Sequence, residues 1–478
     1  MTTAMFTQKQ RTFCRSHYKK IAVSLNPSKL TETFAHLKSA SILGANNAQT
    51  DANRFSYWAA EPKEIFEFHK DQKNPFGKLN RILKKYQLDN ISSNDLPQGV
   101  FCGGWIGYFS YELGRFIEKI PETATDTLNC PLIRLCFYDK LICFDRLENN
   151  TWLIALELDG DSQKPGQKIA YLEKLLKRST KASPGNFKSA DMENLDFSQL
   201  KSNIDKEQYL DAIKRIKKYI YEGQVYQVNL SQRFECDYSA DPKDLFHWQN
   251  LYNPSAYAAY LDADNFHIVS ASPEMFVTIT DSVIETKPIK GTRPRLADCD
   301  KTKSINQRNF DELLINEKEK AELNMIIDLE RNDLGRISQP GTIKVVQPRT
   351  VETYPTIFHA VATIQGKLKP KIDFCDILKA TFPGGSITGA PKISSMEIID
   401  QLEPTERNVY TGCIGFIGVD GNVGLNIAIR TIIIKNRKAY FQAGGGIVAD
   451  SDAQAEWQET ITKARALLAG INSVTSVT

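Results

Sequence analysis

Gly424-Leu-Asn-Ile-Ala-Ile-Arg-Thr-Ile-Ile-Ile434 is a run of β-favouring residues that predicts one strand buried in a sheet. Side chains alternate along a strand, so Arg430 shares a face with Asn426, Ala428 and Ile432 and is expected to point into a pocket. A guanidinium there suits bidentate recognition of a carboxylate. Glycine-rich segments flank the run. Phe441-Gln-Ala-Gly-Gly-Gly-Ile-Val448 reads as a connection whose N–H groups at Gly444, Gly445 and Gly446 let an anion approach. Pro383-Gly-Gly-Ser-Ile-Thr-Gly-Ala-Pro-Lys392 offers Thr388 and further N–H donors to a carboxylate. Neither segment continues into Gly-Lys-Ser/Thr, which excludes a nucleotide P-loop.

Two acidic pairs sit on predicted helices. Over Asp311 to Asp333, at ~100° per residue, Leu323, Ile326, Ile327 and Leu329 form an apolar arc that also contains Glu319 and Glu322. Carboxylates on a core-facing stripe are costly unless they are paired or bound to a cation. Both readings stand: pairing with Lys318, Lys320 and Arg331, or a divalent cation such as Mg²⁺, which is held by one or two carboxylates plus water. In Ala455-Glu-Trp-Gln-Glu-Thr-Ile-Thr-Lys463, the packing face is Trp457, Ile461, Ala464 and Leu468. Glu456, Glu459 and Lys463 form a separate polar stripe, which periodicity alone assigns to solvent. His359 stands beside apolar residues, as a satisfied core group or a functional one.

Thr286-Lys-Pro-Ile-Lys-Gly-Thr-Arg-Pro-Arg295 is too polar for a buried strand, and its prolines and glycine predict a stiff turn with Lys290 at the bend. Such a lysine is either a solvated cation or, if partly desolvated, a nucleophile. Upstream, residues 206–221 have helical spacing, and strands are expected at Val225–Ser231, Ala256–Leu261, from His267, and at Met275–Ile279. From Ile21 to Leu158, β-rich runs such as Phe55–Ala59, Val100–Phe109 and Leu141–Asp145 alternate with turns. Residues 161–205 read as a linker or surface excursion with one short helix, between an N-terminal region at 21–160 and a catalytic region at 206–470.

The chain has 478 residues, 41% hydrophobic and 24% charged, the composition of a soluble globular protein. A formal net charge of +3 gives no footprint for nucleic acid, and no apolar run reaches membrane-spanning length. Nine cysteines without a CxxC pair predict reduced thiols in a cytoplasmic compartment. The early cations Lys9, Arg11, Arg15, Lys19 and Lys20 lack the arginine density and cleavage pattern of a transit segment.

Taken together, these motifs resemble the chorismate-utilising enzymes. The resemblance is dense over 206–470: Gln227-Val-Asn-Leu-Ser231, Ser272-Pro-Glu274, Pro288-Ile-Lys-Gly-Thr-Arg-Pro-Arg295, Ala321-Glu-Leu-Asn-Met325, Asp328-Leu-Glu-Arg-Asn-Asp333, Pro383–Pro391, Ile427-Ala-Ile-Arg-Thr431 and Gly444-Gly-Gly446. Arg54-Phe-Ser-Tyr-Trp-Ala-Ala-Glu-Pro62 and Gly103-Gly-Trp-Ile-Gly-Tyr108 resemble the family's N-terminal region. Some relatives hold tryptophan there, but Ser41-Ile-Leu-Gly-Ala-Asn46 departs from their Leu-Leu-Glu-Ser pattern.

The resemblance implies an α+β fold of two large, mainly antiparallel sheets packed as a sandwich with helices outside. It implies chorismate and Mg²⁺ in a cleft, with Glu322 and Glu459 as metal ligands and Glu319 and Glu456 behind metal-bound water. Arg430, Tyr410, Thr388, Lys463 and the backbone of Gly444 to Gly446 would hold the carboxylates. Within the family the likeness is greatest to the large components of aminodeoxychorismate synthases, with those of anthranilate synthases near. Lysine rather than alanine at position 290 favours the former, with Lys290 attacking ring carbon C2, Glu274 acting as general acid and ammonia adding at C4. Gln227 stands where water-adding relatives carry a basic lysine, and His359 matches a family histidine. No segment resembles a glutamine amidotransferase, so a separate subunit is expected to deliver ammonia. Two alternatives accompany this reading: an anthranilate synthase large component, and a non-catalytic regulator binding chorismate or tryptophan.

Overall fold

In the computed structural model, the run Gly424–Ile434 is divided between two strands. Val423–Ile427 belongs to one sheet and Thr431–Lys435 to another. Between them the chain crosses the interior through a tight turn, in which Ile429 N–H reaches the Ile427 carbonyl and Arg430 adopts φ +50°. Arg430 and Asn426 therefore do not share a face. The Asn426 amide is used up in the sheet, accepting from Ile414 N and donating to Tyr257 O, both at 2.9 Å.

The structure describes residues 12–475 except 23–24, 46–53, 90–95, 191–194, 196, 198, 298 and 355–356. Lys9, Arg11 and Asn46 lie outside the described residues. Among the described residues there is a 13-stranded and a 10-stranded sheet, largely antiparallel, with helices on their outer faces. Period-2 alternation explains the layering. Along the larger sheet, Tyr57, Ile154, Ile268 and Ile433 enter the core shared with Tyr108, Tyr138 and Ile414 of the smaller one. Their neighbours Trp58, Leu153, Val269 and Ile432 face the other way, onto the helices Pro27–Ala35, Pro165–Ser179, Pro242–Tyr252 and Ala453–Thr475. Burial on both faces is why Thr431–Lys435 reads as a continuous apolar run.

Both sheets draw strands from either side of residues 161–205. Ser41–Leu43 pairs with Tyr257–Asp262 in one, and Gly104–Phe109 pairs with Cys413–Gly418 in the other. The division of the sequence into an N-terminal and a catalytic region is thus not a division of the packing. Within 161–205, the helix Pro165–Ser179 buries Lys168, whose Nζ meets Asp139 and Asp161, each at 2.7 Å. Arg15, Lys19 and Lys20 lie on the strand Thr12–Ile21, paired with Asn150–Leu158.

Three further expectations are corrected. Asp311–Asp333 is not one helix: Asp300–Ile315 ends at Asn316, whose side chain caps Glu317–Ile337 through Glu319 N. Gly444 to Gly446 are not a loop but the end of the strand Lys438–Ile447, which pairs with Gln227–Asp237 along its length. Thr286–Arg295 is not a free turn either. It joins the strands Val283–Lys287 and Ile289–Pro294, both hydrogen-bonded to Ile357–Lys367. No helix among the described residues is long and apolar enough to cross a membrane.

Candidate active site

The position of Lys290 follows from a β-bulge. Ile289 is opposite Val361 and Thr292 is opposite His359, so three residue steps on one strand face two on the other. The extra residue is accommodated at Lys290-Gly291, where Gly291 takes φ +98°, a conformation glycine adopts without penalty. A bulge of this kind re-aims a side chain, and here it turns Lys290 inward at a sheet edge. A Cβ added to Gly446 would lie 3.3 Å from Lys290 Nζ and 2.7 Å from Gln227 Nε2, so glycine there makes room for both groups.

Among the described residues Lys290 Nζ has no hydrogen bond. Its pKa is lowered, first by burial and then by the Lys463 ammonium, although Glu322, Glu274 and Glu459 pull the other way. The Gln227 amide is fully buried with neither end hydrogen-bonded among the described residues. Such a group is costly unless a ligand or water satisfies it.

Glu274 follows the strand Phe266–Ser272 and precedes Met275–Thr280. Its Oε1 accepts from Ser386 Oγ at 2.6 Å and from Ile289 N at 3.4 Å. Burial pushes its pKa up to about 7, so it holds a proton near neutrality despite these donors and the charges of Lys290 and Lys463. His359 is buried with Nδ1 2.9 Å from Thr292 Oγ1. Burial, reinforced by the Arg430 charge, pushes it down to about 3. Its ring is therefore neutral at physiological pH, which leaves Glu274 the better proton donor.

The Arg430 guanidinium is half-buried with no ion-pair partner among the described residues, and burial lowers its pKa. Lys463 Nζ donates to Gly444 O at 2.8 Å and meets Glu459 Oε1 at 2.7 Å. Tyr410 is buried beside Arg407, which the Glu403 carboxylate holds at 2.6 Å. Thr388 is fully buried and donates to Gly384 O at 3.0 Å, so its hydroxyl proton serves the turn it sits in.

The acidic pairs lie on two helices, Glu319 and Glu322 on Glu317–Ile337 and Glu456 and Glu459 on Ala453–Thr475. Glu319 is bound by Arg293 at 2.7 Å, while Lys320 takes Glu317 and Arg331 takes Asp328. Lys320 and Arg331, two of the three cations expected to neutralise Glu319 and Glu322, are thus engaged elsewhere, and Glu322 has no hydrogen bond among the described residues. A Cβ on Gly445 would lie 3.1 Å from Glu456 Oε2 and 3.7 Å from Glu459 Oε1, which sets that pair against the glycine strand. Burial raises the Glu456 pKa, and Glu459 adds to the effect. Among the described residues no three acidic, histidine or cysteine side chains converge as a cage for a metal.

Sequence reasoning missed Ser386 on Glu274, Thr292 on His359 and Arg293 on Glu319. All three lie inside motifs already quoted, but only the pairing across strands and helices reveals their partners.

An unpaired arginine and an unsatisfied amide beside a lysine of lowered pKa and a carboxyl of raised pKa suit an enzyme acting on a small carboxylate by proton and nucleophile chemistry. The chain belongs to the chorismate binding enzymes, whose family model matches residues 44–469. It is 36% identical over 451 residues to aminodeoxychorismate synthase component 1 of Escherichia coli, covering 91% of this chain and 94% of that one. It is 35% identical over 413 residues to anthranilate synthase component 1 of Aquifex aeolicus, covering 85% and 82%. The crystal structure of anthranilate synthase component I from Streptococcus pneumoniae superposes with a TM-score of 0.74 at 31% identity, over 87% of this chain and 92% of that one. The chain is accordingly a chorismate-utilising enzyme with the anthranilate synthase component I architecture.

Arg430 gives a test of the carboxylate site. Arg430→Gly relieves a side chain held at φ +50°, a strain of roughly 1–2 kcal/mol, and removes a desolvated charge. The thermal midpoint should not fall, while KM for chorismate should rise roughly 10- to 100-fold, the loss of a charge-assisted bond. A KM within about twofold of the parent's would show that Arg430 does not hold the substrate.

Proposed function

We propose that this chain aminates chorismate at ring carbon C4, giving 4-amino-4-deoxychorismate, with ammonia delivered by a separate glutamine amidotransferase subunit. Relatives of both product types stand at similar identity, so overall similarity does not choose between them. The observation that carries the reading is Lys290: a bulge aims it inward, nothing among the described residues hydrogen-bonds it, and burial lowers its pKa.

Neutral Lys290 Nζ attacks C2 as the C4–O bond breaks, and the Glu274 proton leaves with the hydroxyl as water. Ammonia then bonds to C4 as the C2–N bond breaks, which frees Lys290, and a proton from the new ammonium restores Glu274. The sum is chorismate plus ammonia giving aminated product plus water. Arg430 and Lys463 take the carboxylates, and neutral His359 stays hydrogen-bonded to Thr292. The relatives' designation as component 1 implies a second component, consistent with an external ammonia source.

The reading includes Mg²⁺, with Glu322 and Glu459 as ligands and Glu319 and Glu456 behind its water. Glu322 is unpaired among the described residues, one oxygen of Glu319 lacks a hydrogen bond, and Glu456 resists ionisation beside Glu459. This donor set fits an ion held by one or two carboxylates and water, and not a dedicated protein cage. Bound there, the ion would supply Lewis-acid polarisation of the ring carboxylate.

The deciding experiment incubates the purified chain with chorismate, Mg²⁺ and ammonium, and identifies the product by mass. The aminated product, retaining its pyruvyl ether, is expected. Direct appearance of anthranilate would refute the assignment.

A further inference from the structure

Ser386 lies in a single 3₁₀ turn, Gly385–Ile387, between two buried carboxyl groups. On one side Glu330 Oε1 accepts from Gly385 N at 3.1 Å, anchoring the turn to the helix Glu317–Ile337. On the other, Ser386 Oγ donates to Glu274 Oε1 at 2.6 Å, where Ile289 N–H also converges at 3.4 Å. Two donors on one oxygen leave no room for a proton there. Protonated Glu274 must carry its hydrogen on Oε2, the oxygen with no protein donor among the described residues.

We infer that Ser386 is a positioning residue, held by Glu330 through the backbone of its turn, which fixes the Glu274 proton on Oε2 and orients it for transfer to the leaving hydroxyl. When that proton leaves with the hydroxyl as water, Ser386 and Ile289 N–H remain to stabilise the carboxylate left behind. The inference rests on the role of Glu274 in the proposed function. The charged or titratable groups that face Glu274 are Lys290 beside Ile289, Lys463 from the C-terminal helix and Glu330 beyond the turn. The Ser386 bond favours the ionised form and works against the burial that raises Glu274 to about 7.

The test is the pH profile of chorismate disappearance for Ser386→Ala. Losing a donor to the carboxylate should raise the Glu274 pKa, so the descending alkaline limb moves up by roughly one pH unit. At the same time kcat should fall roughly 10- to 100-fold with KM little changed, because the acid is no longer oriented. Ser386→Thr keeps the hydroxyl and should return the limb to its parental position. If Ser386→Ala does not fold, Ser386→Cys, of similar shape but a poor donor, should show the same displaced limb. A lowered kcat with an unmoved limb overturns the inference, and so does an unmoved kcat. Chorismate loses its 4-hydroxyl on the way to anthranilate as well. If the parent enzyme makes anthranilate, the proposed function falls while this readout still decides the role of Ser386.

Discussion

Lys290→Ala is expected to cut ammonia-dependent chorismate turnover on the order of 10³-fold, about 4 kcal/mol of barrier, with KM for chorismate changed little. The side chain makes no hydrogen bond among the described residues, and burial already disfavours its charged form. Removing it therefore costs the fold little and is not compensated by the neighbouring lysine, because Lys463 is tied to Gly444 O and Glu459. The ascending limb of the parent's pH profile should report Lys290 losing its proton, below the usual lysine range because its pKa is lowered. That limb should vanish in the residual activity of the variant. Turnover of Lys290→Ala within about tenfold of the parent's would eliminate a covalent lysine route. Intact-protein mass with ammonia withheld provides an independent check, since the parent alone should gain the mass of dehydrated chorismate.

Glu274→Gln should lower kcat by on the order of 10²–10⁴-fold, the usual contribution of a positioned general acid. The amide oxygen can still accept from Ser386 and Ile289, so the geometry survives while the transferable proton is lost. Stability supplies the control. The folded pKa of about 7 lies above the unfolded value near 4.5, so the folded state holds the extra proton between them and stability falls as pH rises across that window. At pH 8 the ionised, buried carboxylate is a cost that glutamine does not carry, and the variant should melt no lower than the parent. The descending limb of the rate profile near pH 7 should disappear. Its persistence would assign the proton to another group.

Local pattern carried much of the fold. Phe55–Ala59 and the helix Lys206–Tyr221 fall where their sequences put them, the strand because its β-favouring residues are buried on both faces and the helix because one periodic face meets a core. Pattern failed where two long-range constraints met. Thr286–Arg295 looked too polar for a strand because edge strands need not be apolar, and its prolines are tolerated there. Asp311–Asp333 looked continuous because Asn316 is a cap only if the chain turns at that point. Glu322 and Glu459 were recognisable as candidates, yet whether cations neutralised them depended on which arginines and lysines lay nearby.

By itself, the sequence determined the inventory of this protein: the strand-forming runs, the two acidic pairs, Lys290, Glu274 and Arg430, and through their motifs the chorismate-utilising family. Only the tertiary structure decided that Gly424–Ile434 divides between two sheets, that a bulge turns Lys290 inward, and that Ser386 meets Glu274. The physical reason is that periodicity is a property of one segment. Sheet membership, register and a shifted pKa belong to pairs of segments far apart in the chain, and they exist only once those segments have packed.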